Sequence, residues 1–504
     1  MTGRPLSFVC LVAALFYMIS TGRAILADEE AARPDILLIM PDQMRGDCLS
    51  ILGHPAVRTP TLDQLAQRGV LFRRAYSTVP SCIPARYAML TGLYPQTSGV
   101  VGFRQKKITT PTMPQLLRDA GYATALVGRE MHQSVGAAKL GYQTEIRGST
   151  YIANDEYTAD LKKAMPDMGE IRAWVSQLGL TYNHWQARPW PLTNNLHPTT
   201  WVVGKARSVI AGAAADKPLF LTASFYAPHP PLFPPAEDFD RYMQQKLPSP
   251  ARGDWVDWDS LTPKGADGGH RVLLAGETLR RAQAGYYGLI EHLDHELAPL
   301  IKDFTSRSAK EGRPWVIVFT TDHGEMMGDH GYFRKCEPFE GSANIPMILV
   351  GSPALNFRAG ERCGQAVCLE DLLPTLVELA SASCPTVDGV SLVPILRGEE
   401  LVIRPWLHFE HAPCYSQPQA FHALTDGRFK YVWRPNDGTE RLFDLDQDPR
   451  EEHDLFAEAD NGDLLEQWRG RLVRRLANRP EGFSNGTQLI TGRPYPPVQA
   501  GQPR

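Results

Sequence analysis

The segment 81–92 combines a reactive residue type with the pattern of a helix start. Cys82 precedes Pro84, which suits the first turn of a helix, and Gly92 suits its end. We therefore predict that Cys82 lies at a helix N-terminus, where backbone amides and the helix dipole favour an anion. For the bare spacing Cys-x-Pro-x-Arg, which ends at Arg86, a buried or disulfide-bonded cysteine is the commoner explanation, because so short a motif matches often by accident.

Four apolar runs elsewhere in the chain end in polar side chains that could bind a metal ion or an anion. Such runs are typical of strands buried on both faces of a parallel sheet. The runs and the side chains that follow them are 35–40 with Asp42 and Gln43, 123–127 with Arg129 and His132, 219–226 with His229, and 315–319 with Asp322 and His323. Because ligands of parallel sheets bind beyond the carboxyl ends of the strands, we expect these clusters to meet at one rim.

Helical patterns lie between the apolar runs, for example at 61–69 and 113–120. The alternation predicts an α/β fold with a large, mixed, mostly parallel sheet between layers of helices. From about residue 400 the pattern changes to short alternating strands, followed by a helical pattern over about 463–477. This change predicts a small C-terminal antiparallel sheet with one helix.

Length and charge narrow the class of protein. A chain of 504 residues is too long for one compact core, and we predict a large domain at 34–399, a smaller one at 400–479 and a loosely packed tail at 480–504. The formal net charge of −4 shows no basic excess, so nucleic acid is not an expected partner.

The N-terminus has the pattern of a signal peptide at 1–27. Arg4 precedes an apolar run from Leu6 to Ile19, and small residues such as Ala24 and Ala27 offer a cleavage zone. A run of about 14 residues is too short to span a bilayer comfortably. We therefore predict a periplasmic or secreted protein that keeps no membrane span after cleavage.

The longer context of Cys82 changes the interpretation of the short motif. Leu-Thr-Gly at 90–92 follows Arg86 at the spacing of the signature of formylglycine-dependent sulfatases, in the alkaline phosphatase superfamily, and the chain resembles that family. Further segments that resemble blocks of the family are 59–66, 69–72, 121–124, 371–375, 388–391 and 442–449. Ala85 departs from the serine of many members. The resemblance implies an alkaline-phosphatase-like fold and a maturation enzyme that oxidises Cys82 to formylglycine, whose hydrate attacks the sulfur of a sulfate ester.

The resemblance also implies a divalent cation, usually calcium. Its ligands would be Asp42, Gln43, Asp322 and His323, together with the modified residue 82. Oxygen ligands suit Ca²⁺, but the family's common Asp-Asp and Asp-Asn pairs appear here as Asp-Gln and Asp-His. The identity of the metal therefore stays open, and His323 faces either the metal or the substrate.

Five further residues receive roles from the resemblance. Arg86 would orient residue 82, and Arg129 and Lys335 would bind the sulfate. His229 would contact the substrate and protonate the leaving group, and His132 would deprotonate the hemiacetal hydroxyl. The segment around Arg129 and His132 departs from the family's Gly-Lys-x-His, because arginine replaces lysine and one residue is inserted.

Two other functions remain open at this stage. A phosphonate monoester or phosphodiester hydrolase of the same superfamily also pairs Asp-Gln with Asp-His and tolerates Ala85. A non-catalytic glycan-binding relative would be expected to lose the nucleophile, metal or lysine positions, and all are present. A sulfatase acting on a sulfated small molecule or polysaccharide is the favoured prediction.

Overall fold

The computed structural model describes Met1 and residues 33–129, 140–152, 154–263, 270–399 and 402–500. Residues Arg33–Arg504 group into one compact unit. Apart from Met1, the predicted signal peptide at 1–27 lies outside the described residues, and so does the candidate base His132.

Three sheets contain the strands of the described residues. The strands are β1 (Asp35–Asp42), β2 (Val70–Phe72), β3 (Ala75–Tyr76), β4 (Ala123–Gly128), β5 (Thr144–Arg147), β6 (Leu219–Pro228), β7 (Trp315–Thr320), β8 (Met347–Gly351), β9 (Glu361–Cys363), β10 (Val367–Cys368), β11 (Leu407–His411), β12 (Phe421–Thr425), β13 (Phe429–Trp433) and β14 (Glu440–Asp444). The largest sheet has eight strands in the order β5-β4-β6-β1-β7-β8-β2-β9. Its first five strands are parallel neighbours, and only β8 runs against both of its neighbours. The prediction of a mixed, mostly parallel sheet is confirmed.

Helices flank this sheet on both faces. The helices of the described residues, including those that pack elsewhere, are α1 (Pro60–Arg68), α2 (Cys82–Thr91), α3 (Pro95–Ser98), α4 (Met113–Asp119), α5 (Glu156–Ala164), α6 (Ile171–Gln177), α7 (Pro198–Gly212), α8 (Ala236–Met243), α9 (Gly276–Lys310), α10 (Glu340–Ala343), α11 (Leu372–Leu379), α12 (Val393–Leu396) and α13 (Gly462–Leu476). Leu37 and Ile39 of β1 belong to a core shared with α7 and α9. Ile36 and Leu38 point to the opposite core, shared with α2 and α11. All eight residues of β1 are therefore buried, which explains its continuous apolar pattern.

The C-terminal antiparallel sheet is confirmed as well, with the order β11-β12-β13-β14. One face packs on α13 through Trp433 and Trp468. The other face packs through Phe409 and Phe421 against Phe339, a few residues beyond Lys335. The small sheet therefore supports the segment that carries the candidate lysine.

Two aromatic residues anchor the predicted tail in the part of 480–504 that the structure describes. Phe483 is fully buried and Tyr495 is nearly so, and both join the core of the C-terminal sheet. Single aromatic residues among Gly, Pro and polar residues give no periodic pattern, so the sequence did not indicate this packing.

Within the described ranges, no helix has the length and apolar character needed to cross a membrane.

Candidate active site

The carboxyl ends of the central strands meet at one rim, as the sequence predicts. β1 pairs in parallel with both β6 and β7. Asp42, the last residue of β1, therefore lies near His229 and Asp322, which come just after β6 and β7. Gln43 has a φ of 67°, and its backbone amide donates a hydrogen bond to Asp322 Oδ1 at 3.1 Å. In this left-handed backbone conformation Gln43 turns the chain after β1, and its hydrogen bond links the end of β1 to the loop that follows β7.

Cys82 is the first residue of α2 and is buried at the same rim. Its Sγ lies 3.1 Å from His323 Nε2, 3.3 Å from Lys335 Nζ and 3.8 Å from Asp42 Oδ1. The preceding Ser81 Oγ is 2.7 Å from His411 Nε2 of the small sheet. The predicted helix start is therefore confirmed, and it places the thiol among the polar strand ends.

Four of these groups could together hold a metal ion. Asp42, Cys82, Asp322 and His323 each offer a ligand atom, and all four atoms lie within 4.8 Å of one another. His323 Nδ1 is 2.9 Å from the carbonyl oxygen of Gly324, so Nδ1 carries the proton and the Nε2 lone pair faces the carboxylates. This tautomer is the one that a metal-binding imidazole needs. His323 thus directs Nε2 toward the other three ligands, and the four residues together fit a divalent cation.

Gln43 makes different contacts from the other predicted ligands. Its Oε1 accepts a hydrogen bond from Lys335 Nζ at 2.7 Å, and its Nε2 donates to Glu325. Glu325 is a fully buried acid that the sequence did not single out, and burial raises its pKa. It also accepts from the backbone amide of Met327, which anchors it. Metal binding by Gln43 stays a prediction.

Arg86 lies between the two carboxylates. Its Nε is 2.9 Å from Asp322 Oδ2, and one terminal nitrogen is 3.1 Å from Asp42 Oδ2. Its other terminal nitrogen donates to Ser224 Oγ at 3.2 Å. Burial alone would raise the pKa of Asp42, but Arg129 and Arg86 bring it well below its ordinary value. Asp42 is therefore held ionised.

Arg129 reaches the same carboxylate from the other side. Its Nε lies 2.7 Å from Asp42 Oδ2, and its guanidinium stacks 4.7 Å from the ring centre of Tyr226 and 5.4 Å from that of Tyr151. Only 1% of Arg129 is exposed. The two rings fix the orientation of this buried cation.

Lys335 joins three of the predicted residues. Besides Gln43 and Cys82, its Nζ lies 3.1 Å from His229 Nε2. Burial by itself would lower the pKa of Lys335, but Cys82, Asp42 and other nearby acidic groups raise it. The ammonium group is therefore charged beside Cys82.

His229 is neutral in this arrangement. Its Nδ1 lies 2.6 Å from the carbonyl oxygen of Pro230, which assigns the ring proton to Nδ1 and leaves Nε2 to accept from Lys335. Burial, followed by the charge of Lys335, lowers the pKa of His229 well below its usual value. To protonate a leaving group, His229 must first receive a proton on Nε2.

Burial favours the protonated form of an unmodified Cys82 thiol. Burial, together with Asp42, raises its pKa to about 12, although Lys335 acts in the opposite direction. Because the thiolate is the nucleophilic form of cysteine, an unmodified Cys82 is unsuited to attack at neutral pH.

A cavity of about 600 Å³ opens above Cys82, His229 and Lys335. Its aromatic lining consists of Phe103, Tyr151, Tyr182, Tyr226 and Tyr415. The tryptophans of the segment 174–190 are instead largely buried, and two of them belong to a separate core. The tyrosines come from segments far apart in the chain, so no local motif could have identified them.

The chain matches two family models: the one described as Sulfatase over residues 34–382, and the one described as N-sulphoglucosamine sulphohydrolase, C-terminal, over residues 328–478. An arylsulfatase of Clostridium perfringens is 33% identical over 480 residues, covering 92% of this chain and 98% of that protein. A choline-sulfatase of Rhizobium meliloti is 30% identical over 444 residues, covering 83% and 81%. The crystal structure of a phosphonate monoester hydrolase of Agrobacterium radiobacter superposes with a TM-score of 0.73 at 25% identity, covering 89% of this chain and 96% of that one.

Proposed function

Because this chain belongs to the sulfatase family, and is thus a sulfuric ester hydrolase, we propose that it acts through a formylglycine made from Cys82. One observation carries the proposal: the Cys82 side chain lies among a metal-binding group, a charged lysine and a histidine, while burial raises the pKa of its own thiol. Formylglycine, when present, supplies a hydrated aldehyde with two hydroxyls on one carbon. A maturation enzyme that oxidises Cys82 is the partner this proposal requires.

The proposed metal ligands are Asp42, Asp322, His323, Gln43 and residue 82. A divalent cation bound there would offset negative charge at sulfur. We propose Ca²⁺ because oxygen atoms predominate among the ligands, although the single nitrogen makes the site less selective than an all-oxygen one.

Arg129 and Lys335 are proposed to bind the sulfate oxygens. Both cations are buried, Lys335 in the lining of the cavity and Arg129 against Tyr151 and Tyr226, which line it. The low polarity of these surroundings strengthens their attraction for an anion. Arg86 holds Asp42 and Asp322 in place and so orients residue 82 and the metal ligands. The three cations thus favour an anionic sulfate ester over a neutral ester.

His229 and Lys335 are proposed to protonate the leaving oxygen together. The proton on His229 Nδ1 is donated in a hydrogen bond to the carbonyl oxygen of Pro230, so the transferred proton has to arrive on Nε2. The neighbouring donor is Lys335 Nζ at 3.1 Å. His132, in the segment that follows Arg129, remains the proposed base for the second hydroxyl of residue 82.

We also propose export after cleavage of 1–27, a catalytic domain at 34–399 and a smaller domain at 400–479. The proposed substrates are sulfate esters of small molecules or of sulfated polysaccharides. A cavity of about 600 Å³ has room for one sugar or aryl unit beside the sulfate.

Mass spectrometry of the tryptic peptide Ala75–Arg86 tests the proposed nucleophile. Protein produced with a maturation enzyme should carry an aldehyde at residue 82 and hydrolyse an aryl sulfate. The same preparation of Cys82→Ala should have no turnover. Full activity in a preparation whose Cys82 is unmodified would contradict the mechanism.

Hydrolysis of a phosphonate monoester is the second candidate function. The pairing of Asp42–Gln43 with Asp322–His323 favours it, and so does the similarity to a phosphonate monoester hydrolase. Comparing kcat/KM for an aryl sulfate and an aryl phosphonate on one preparation decides between them. A large preference for the phosphonate would overturn the choice of sulfate as the main substrate.

A further inference from the structure

We propose that Arg172 forms a second anion-binding subsite in this cavity, which takes a carboxylate or a further sulfate on the organic part of the substrate. Arg172 lies in α6, and its side chain is exposed at the wall of the cavity that opens above Cys82 and Lys335. The inference rests on the proposed function, and it specifies a class of substrate for the same site.

The position of Arg172 is fixed by the tyrosines of the cavity. Its Nε donates a hydrogen bond to the carbonyl oxygen of Tyr151 at 2.8 Å. Its guanidinium lies 5.8 Å from the ring centre of Tyr151 and 5.9 Å from that of Tyr182. An arginine held in this way keeps its terminal nitrogens in a defined place, so less entropy is lost when they bind an anion.

Tyr151, which lines the cavity, contacts both arginines. Its ring lies 5.4 Å from the guanidinium of the buried Arg129 and 5.8 Å from that of Arg172 in the cavity wall. The two guanidinium groups are therefore no more than about 11 Å apart. A sugar or aryl ring with a sulfate at one end and a second anionic group at the other spans a distance of this order.

The charge of the cavity wall agrees with this assignment. Among the described residues that line the cavity, Arg172 and Lys335 are cationic and none carries a carboxylate. A substrate whose organic part is cationic would meet only repulsion from Arg172, whereas a carboxylate or sulfate would form charge-assisted hydrogen bonds. The cavity is therefore suited to acidic sulfated compounds, such as sulfated uronates or multiply sulfated sugars.

Three phenyl sulfates test the inference on the converted enzyme. They differ at the para position, which carries a carboxylate, a second sulfate or the methyl ester of the carboxylate. The quantity compared is kcat/KM of each charged compound relative to the ester, in the wild type and in Arg172→Gln. Taking this ratio in both proteins cancels differences in leaving-group reactivity.

Arg172→Gln should lower kcat/KM for at least one charged compound about ten-fold, mainly through KM, while the ester changes less than about two-fold; ten-fold corresponds to roughly 1.4 kcal/mol. An effect on the carboxylate alone would assign a uronate, and an effect on the second sulfate alone a multiply sulfated substrate. Arg172→Lys should retain part of the discrimination. Arg188→Gln is the matched control, because Arg188 is a nearby arginine that donates to Leu178 and lies outside the wall of this cavity; it should alter no ratio.

The outcomes separate the two proposals. If Arg172→Gln lowers kcat/KM for all three compounds equally, Arg172 acts only by supporting Tyr151, and the subsite is refuted. The subsite is also refuted if Arg172→Gln leaves kcat/KM of each charged compound relative to the ester unchanged. If the wild type carries formylglycine at residue 82 but hydrolyses none of the three sulfates, the proposed function fails instead.

Discussion

Replacing Lys335 with methionine removes the one ammonium group that joins the nucleophile, the predicted ligand Gln43 and the proposed acid. The Nζ atom lies 2.7 Å from Gln43 Oε1, 3.1 Å from His229 Nε2 and 3.3 Å from Cys82 Sγ. Methionine is similar in length and apolar, so Lys335→Met removes the charge and its hydrogen bonds while it largely preserves packing. The change therefore tests electrostatics more than shape.

The expected magnitude follows from the position of Lys335. Loss of one preorganised donor to charge that develops in the transition state costs about 10²–10³ in kcat, or roughly 2.7–4 kcal/mol. We expect a decrease of at least this size, because the proton supply of His229 is lost as well. Stability should fall by about 1–3 kcal/mol, since Gln43 Oε1 loses its buried donor.

The assay is steady-state hydrolysis of 4-nitrophenyl sulfate, together with the formylglycine content of each preparation by peptide mass spectrometry. Normalising to that content separates lost catalysis from incomplete conversion of Cys82. Lys335→Arg keeps the charge and should retain more activity than Lys335→Met. If converted Lys335→Met keeps more than a tenth of the wild-type kcat, the reasoning about this lysine is refuted.

Three further predictions concern metal, anion binding and pH. Removal of the metal by a chelator should abolish turnover, and added Ca²⁺ should restore it. His323→Asn replaces a nitrogen ligand with oxygen, so metal analysis should show a higher selectivity for Ca²⁺ over Mn²⁺. Unaltered selectivity would argue against ligation by His323. Arg129→Lys loses the stacking on Tyr226 and should lower kcat/KM at least ten-fold, and an unchanged value would argue against a role in sulfate binding. Burial raises the pKa of Glu370 from 4.5 to about 7, so the unfolded chain loses a proton that the folded chain keeps, and stability falls as pH rises between these values. The free energy of unfolding, measured by denaturant titration at several pH values, should fall by about 3 kcal/mol over this range in the wild type. Glu370→Gln should remove this fall, and an unaltered pH dependence would count against the shift.

The sequence predicts the elements that are buried on both faces. The apolar runs at β1, β4, β6 and β7 are continuous, because the sheet lies between two cores. The strand β2 has only three residues, and its neighbours in the sheet are β8 and β9, which lie far along the chain. So short a segment has no period of its own, and its pairing depends on tertiary contacts that sequence patterns do not contain.

In the candidate site, too, the positions set by strand ends are predictable from the sequence, whereas those set by the course of loops are not. Asp42, Asp322 and His229 are predictable because each lies at or just after the end of a strand, and parallel pairing brings such positions together. Glu325 was missed because its contact with Gln43 depends on the course of the loop after β7. The orientation of His323 was open for the same reason: it depends on a hydrogen bond to its neighbour Gly324, which the sequence does not specify.

The floor of the site and the wall of the cavity are held in place by different contacts, and we expect this difference to separate catalysis from substrate specificity. The floor of the site, around Cys82, Arg86 and Arg129, is built from α2 and strand ends of an alkaline-phosphatase-like fold. Its two arginines are held in place by buried carboxylates and by the aromatic ring of Tyr226. The wall is built from loops and α6, where Arg172 is held by the ring and carbonyl of Tyr151. We therefore expect a substitution at the floor to alter the reaction with every substrate, and a substitution at the wall to change mainly which organic group is accepted. Relatives that share the floor can accordingly differ in substrate, and the identity of the substrate has to be sought in the residues of the wall.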